Sequence, residues 1–312
     1  MNIPSHSPLR TWLLGRFSIS LPEYMLPDMP QFLFQWDDRT PDNACEPAYP
    51  ISLNEQPYAD AATAKAEWRK AVDELIEDKQ TSFWGLAFHW DVSKLFDVPA
   101  YLICYTKNGA EYNFHILLQR PECLMHLIGR KSYRYPDTAK KGPVTDNILR
   151  ILAAFYRRYR PGHATRSGNV FHTCLGELHD VVVNRNERMS VLFTNKEKTL
   201  LWGVDTSINY WKEKEEDLRS WMGRLGGIAG APSSRMRKLP HLPNKGFESL
   251  EKPEHDLAHL TLEYAGRVGD PCLPSFSMGL TKRFAGEMDA FRDLWEVILE
   301  HFLPLQQKKT AS

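Results

Sequence analysis

Apolar side chains in this sequence recur mainly at every second position, in short runs that follow one another with little more than a turn between them. A period of two lays a stripe along one face of a strand. Strands joined by short turns pair antiparallel, because each parallel pairing needs a long crossover. Phe17, Ile19 and Leu21 alternate with serines, and Phe32, Phe34 and Trp36 alternate again. Ala100–Thr106 and Tyr112–Leu118 flank Lys107-Asn108-Gly109-Ala110, a composition suited to a hairpin turn. Further strand segments are Val170–Val182, Arg188–Thr194, Leu200–Asp205, Leu257–Tyr264 and Pro274–Leu280. A doubly wound parallel sheet is therefore not expected.

Four windows instead carry the helical period. Between Asp60 and Lys79, Trp68, Val72, Leu75 and Ile76 share one face, with Asp60 placed to cap the start. Between Pro143 and Arg160 the stripe is Ile148, Leu152, Phe155 and Tyr159; Pro143 suits the first turn and Pro161-Gly162 ends it. From Lys214 to Leu225 the stripe is Leu218, Trp221, Met222 and Leu225, behind the acidic turn Glu215-Glu216-Asp217. Phe291, Leu294, Trp295, Ile298 and Phe302 mark a closing helix that Pro304 stops.

The two halves repeat one order of elements: strands, a helix, strands, a closing helix. The break falls at Pro161-Gly162-His163. With 312 residues, two domains are expected, 1–162 and 163–312, each a mainly antiparallel sheet with helices packed on it, an α+β architecture. No stretch approaches the roughly 18 consecutive apolar residues of a membrane span. Met1–Arg16 does not read as a secretion leader, since Trp12-Leu13-Leu14 is short and bracketed by Arg10 and Arg16. Cytoplasmic residence is the expectation on that ground.

The chemistry-bearing patterns fail one at a time. Gly223, Gly226, Gly227 and Gly230 follow a helix, whereas a phosphate cradle feeds a helix N-terminus. His255 and His259 have the spacing of a helical metal pair, but alternation through Leu260, Leu262 and Tyr264 puts His259 in a strand, where four residues span about 13 Å. No G-x-S-x-G elbow is present. Cys174 beside His172 has the types of a nucleophile and a base, yet His179 falls on the opposite strand face and no oxyanion hole is nearby. Asp37-Asp38 and Glu215-Glu216 read as surface charge and helix capping. The five cysteines, Cys45, Cys104, Cys123, Cys174 and Cys272, are odd in number and hold no C-x-x-C pair, so neither a disulfide framework nor a zinc ribbon is expected. No catalytic residue, metal or cofactor is assigned.

What remains is recognition material. The segment from Gly129 to Gly142 carries Arg130, Lys131, Tyr133, Arg134, Tyr135, Lys140 and Lys141, and its Gly and Pro residues read as a loop between a strand and a helix. Tyr210 and Trp211 sit against alternating charges in a second patch. Arg, Tyr and Trp dominate binding hot spots, and these nine residues are the candidate partner surface. Charge is segregated: residues 1–100 hold 8 Lys+Arg against 15 Asp+Glu, and residues 101–166 hold 12 against 4, within a net charge of zero. Mixed-sign complementarity suits a protein partner better than a nucleic acid.

Four segments, in order, resemble the immunity proteins that protect bacteria against lipase effectors of the type VI secretion system. They are Gly15-Arg16-Phe17-Ser18-Ile19-Ser20-Leu21-Pro22; Phe171-His172-Thr173-Cys174-Leu175-Gly176-Glu177; Leu262-Glu263-Tyr264-Ala265-Gly266 followed by Pro274–Leu280; and the helix segment Ala290–Ile298 with its Leu-Trp pair. Where the family's cysteine strand starts Gly-Phe-Cys, this chain reads Phe-His-Thr-Cys. The resemblance implies a two-domain, non-catalytic inhibitor that clamps a cognate lipase or phospholipase effector, 1:1, and blocks its lid or active-site access. It also implies periplasmic action. An enzyme without a recognisable signature and a general protein- or nucleic-acid-binding scaffold are the other classes left open.

Overall fold

The computed structural model describes residues 7–36, 49–81, 85–106, 111–132, 143–165, 170–179, 187–207, 234–251, 257–267, 273–283 and 288–305. The expected helix at Lys214–Leu225, the four glycines behind it, the turn at 107–110, His255, Cys45 and Cys272 lie outside these residues. The chain divides into two compact units, residues 31–162 and residues 1–30 with 163–312. The first thirty residues thus group with the second half of the chain.

The chain opens in β1 (Leu9–Leu14) and β2 (Phe17–Pro22), and passes into the 31–162 unit within β3 (Leu26–Trp36). There follow β4 (Tyr49–Pro57), α1 (Ala64–Thr81), β5 (Gly85–Asp91), the single-turn α2 (Ser93–Phe96) and β6 (Ala100–Thr106). This unit closes with β7 (Glu111–Gln119), β8 (Cys123–Ser132), α3 (Pro143–Tyr156) and β9 (Tyr159–Pro161). The other unit resumes with β10 (Phe171–His172), β11 (Gly176–Leu178), β12 (Arg188–Thr194) and β13 (Leu200–Ser207). Its last elements are β14 (Ser234–Lys238), β15 (Lys245–Glu251), β16 (Leu257–Tyr264), β17 (Ser275–Arg283), α4 (Met288–Glu300) and β18 (Leu303–Pro304).

Within the 31–162 unit the strand order is β3-β4-β8-β7-β6-β5, antiparallel throughout. Within the other it is β12-β13-β17-β16-β15-β14, again antiparallel. Lettered a to f along the chain, both sheets read a-b-f-e-d-c, and in both a helix follows strand f. The similarity of element order seen in sequence is thus a shared topology, and the α+β class holds.

The 31–162 sheet is covered on both faces. On one, Val72 of α1 packs with Ile103, Leu117 and Leu124, extended by Trp68, Leu75 and Ile76, and the Trp68 indole donates to the Leu117 carbonyl (3.0 Å). On the other, Ile148, Leu152 and Phe155 of α3 are fully buried; Phe155 meets Phe34 at 5.2 Å. Gly129 belongs there because a side chain at that position would crowd Leu152, whose methyls lie 3.3 Å from the place of a Cβ.

The second sheet is two-faced. Phe276, Met278 and Leu280 alternate inward along β17, opposite Trp202 and Val204 of β13 and Leu260, Leu262 and Tyr264 of β16. Phe17 and Phe302 complete this core, with rings 4.6 Å apart and each against Phe276. The opposite face is a polar ladder: Ser249–Thr261, His259–Thr281 and Ser277–Glu263 are joined across strands at 2.6–2.7 Å.

Several boundaries differ from the periodicity. Asp60 caps a turn, not the helix: it accepts the Ala62 N–H (3.1 Å), and α1 starts at Ala64 behind Thr63. Val170–Val182 is not one strand but β10 and β11, folded back on each other around Thr173-Cys174-Leu175, with residues 180–182 outside the described set. α3 ends at Tyr156 and gives way to β9. α4 ends at Glu300, before Phe302, because the chain leaves it to add β18 to β2, and the Leu305 N–H reaches the Arg16 carbonyl (2.8 Å).

One glycine is decisive. Gly266, after β16, has φ +69°, and a Cβ there would lie 2.4 Å from the Leu273 carbonyl oxygen and 2.5 Å from Pro274. Gly266→Ala is expected to cost about 1–2 kcal/mol for the left-handed backbone and about 1–3 kcal/mol for crowding. A lowered urea midpoint at unchanged slope is the expected result.

Candidate interface

Of the nine residues assigned to a partner surface, Tyr133, Arg134, Tyr135, Lys140, Lys141, Tyr210 and Trp211 lie outside the described residues. The first part of the basic segment is not loop: Gly129–Ser132 completes β8, with Arg130 opposite Asn113 and Lys131 opposite Tyr112 of β7. The hydrogen-bonded ladder with β7 carries the strand through these four residues. Arg130 is exposed and pairs with Glu111 (2.7 Å), so a partner would compete with that carboxylate for it.

The His172–Cys174–His179 group is drawn around a buried carboxylate. Cys174 lies in the β10–β11 turn with 3% exposure. The buried carboxylate of Glu177 is the centre instead, accepting from the Thr165 N–H (3.1 Å) and facing His179 Nε2 (2.8 Å), with His172 Nδ1 at 3.9 Å. Chain reversal between β10 and β11, which strand periodicity alone does not show, makes this grouping. His259 is held by Thr281. Among the described residues no three His, Cys, Asp or Glu side chains are grouped to hold a metal, and no helix is long and apolar enough to cross a membrane.

One groove combines charge with an apolar floor, and sequence reading passed over it. It lies beside the edge strand β14 and helix α4, with a volume of about 410 Å³, and is lined by Arg235, Glu248, Leu250, Leu260, Arg292, Trp295 and Glu296. Glu248 is 4% exposed and fully engaged: its Oε1 accepts from Trp295 Nε1 (2.7 Å) and Arg237 Nη1 (2.8 Å), its Oε2 from Arg235 Nε (2.5 Å). Arg237 also grips Glu296 through both Nη atoms. That pairing raises the Arg237 guanidinium above its ordinary range and holds the Glu296 carboxyl below its own. The available signal was Arg235-Met236-Arg237: alternation of charge with an apolar residue on a short strand, the period of two in polar form.

By sequence, no family model and no curated protein matches the chain. By structure, the chain is similar over 96% of its length to the apo immunity protein TplEi of the type VI secretion system of Pseudomonas aeruginosa, with 98% of that chain covered, a TM-score of 0.59 and 15% identity. The chain shares the fold of TplEi. The same coverage, TM-score and identity relate it to a chain of the Tle4–Tli4 complex. TplEi complexed with "L" peptide aligns at a TM-score of 0.56 and 13% identity, over 95% of this chain and 98% of that one. The likeness to TplEi spans both units, which share one strand order.

Within this TplEi-like fold the 31–162 unit encloses a polar chain beneath α1. His115 Nδ1 meets His126 Nε2 at 2.8 Å, and His115 Nε2 meets the Tyr105 hydroxyl at 2.9 Å. Either proton direction satisfies the chain with both rings neutral. Burial pushes His126 from 6.5 down to about 4 and, together with His126 and Lys79, holds His115 well below its ordinary value. The unfolded chain takes up these protons near pH 6.5, so the stability they contribute is complete above that value and is lost as pH falls towards 4. Urea unfolding between pH 7 and 4.5 is expected to show a declining midpoint with an uptake of up to two protons, and His126→Gln is expected to reduce that uptake by about one.

Proposed function

We propose that this protein is a non-catalytic immunity protein that binds a cognate type VI secretion lipase effector 1:1 and neutralises it. In this reading the two domains grip the effector between them and cover its lid or active-site entrance. The supporting observation is the likeness to TplEi across 96% of the chain, which includes both units and not one module of a larger assembly. The sequence resemblance in four segments from Gly15 to Ile298 points the same way. Inhibition by occlusion requires shape and charge, not reacting groups. A neutralising complex of this kind buries about 1,600 Å² or more.

The test is co-expression with a lipase effector whose gene adjoins that of this protein, the arrangement this reading expects. A 1:1 complex on size exclusion, loss of lipase turnover in the complex and rescue of growth are the expected results. Full toxicity with no complex formed would refute the proposal. Fractionation against a periplasmic marker decides between the cytoplasmic residence expected from the N-terminal sequence and the periplasmic residence that the family resemblance implies.

A further inference from the structure

We propose that the groove between β14–β15 and α4 receives an acidic segment of the bound protein, with a carboxylate seated by Arg235 and Arg292 and a neighbouring apolar side chain on Leu250, Leu260 and Trp295. This rests on the immunity reading only for the identity of the partner; the receptor chemistry is independent of it.

Some cations around the groove are already committed. Arg237 is spent, held between Glu248 and Glu296. Arg235 gives its Nε to Glu248; its Nη2 forms a long ion pair with Glu296 at 3.8 Å, beyond hydrogen-bond reach. Its side chain is 66% exposed, so this guanidinium is fixed at one edge and open at the other. Arg292 lies one turn before Glu296 on α4, is exposed at the groove wall, and has no ion-pair partner among the described residues. A guanidinium anchored through Nε and open at Nη is pre-oriented for a planar two-oxygen acceptor.

Apolar floor and mixed walls narrow the ligand further. Leu260 and Trp295 are buried beneath the opening, and Leu250 is half-buried. A volume of about 410 Å³ lies within the roughly 300–1,000 Å³ of ligand clefts. Three guanidinium groups meet two carboxylates around the groove, leaving a surplus of one positive charge. A single carboxylate balances that surplus, while a phosphate dianion would be opposed by Glu248 and Glu296. An Asp or Glu next to an aliphatic or aromatic residue therefore fits better than a phosphorylated group or a nucleic-acid backbone.

Two probes test this on the full chain: the neighbouring lipase, and a fluorescein-labelled heptapeptide of alternating Leu and Glu beside its Leu–Gln counterpart. Arg292→Glu, an exposed change, is expected to weaken the lipase complex and the Leu–Glu peptide about tenfold or more, with the thermal midpoint unchanged. Arg235→Gln is expected to weaken both in the same sense. Lipase binding that is unaltered in both variants overturns the groove as the contact while leaving the immunity reading intact. Conversely, Arg-dependent peptide binding in a chain that ignores the lipase keeps the groove and removes that reading. Equal affinity for the Glu and Gln peptides, no binding of either, or displacement of the Glu peptide by inorganic phosphate overturns the proposal.

Discussion

Arg16→Ala is expected to destabilise the chain by about 3–5 kcal/mol, the loss that follows when one partner of a buried ion pair is removed and the other stays charged in the interior. Arg16 sits in the β1–β2 turn, immediately after Gly15 at φ +57°. Its guanidinium and the Glu187 carboxylate are each 2% exposed, joined as a fork through Nε–Oε2 (3.1 Å) and Nη2–Oε1 (2.8 Å). The pair fastens the first hairpin to the start of β12, 171 residues later in the chain. Glu187→Ala is expected to cost a comparable amount, because it removes both acceptors of the fork from a buried guanidinium. The double variant Arg16→Met/Glu187→Leu, which leaves no charge behind, is expected to recover most of the loss, because well-packed apolar replacements of buried ion pairs are often neutral or better. Urea unfolding of the three variants, closed as a double-mutant cycle, measures the coupling. Single-variant losses under about 1 kcal/mol would show that the pair is not a fastening.

A loss of similar size is expected for Trp295→Ala, where deletion of a buried aromatic costs about 3–5 kcal/mol. Trp295 is 1% exposed on the inner side of α4, and its indole N–H is one of three donors on Glu248. The substitution therefore removes core volume and one donor from a buried carboxylate together. Trp295→Phe separates the two effects. It keeps most of the packing and loses only the donor, for an expected cost of about 1–3 kcal/mol. Thermal and urea unfolding of both variants check the ordering. Equal losses for Phe and Ala would mean that the hydrogen bond, not the ring, carries the stability of this corner.

These two sites show where the chain's own pattern runs out. Trp295 was legible as core because it recurs with Phe291, Leu294 and Ile298 at helical steps, and all four are buried. Its partner Glu248 was not, because an acidic residue in a short strand carries no periodic signal that it is 4% exposed. Arg16 was noted as a charge against a secretion leader and within the Gly15–Pro22 segment, not as half of an ion pair, since its partner lies far along the chain. Strands that bury one face, such as β12 and β17, announce themselves by alternation. β8 was missed as a strand because both of its faces are buried: Leu124 lies towards α1 and Leu127 on the other face, which fills the alternation in. β14 was missed for the opposite reason, being mostly charged. The partner surface assigned from Arg and Tyr content falls largely on segments outside the described residues, whereas the groove arises where β14, β15 and α4 converge.

Local sequence thus determined the α+β class, the antiparallel pairing and three of the helices, because strand and helix periods and turn chemistry act over a few residues. Tertiary structure alone decided that residues 1–30 join the second half, that Arg16 answers Glu187, and that Arg235, Glu248 and Trp295 meet. Such contacts depend on distances between residues far apart in the chain, and no local period encodes them.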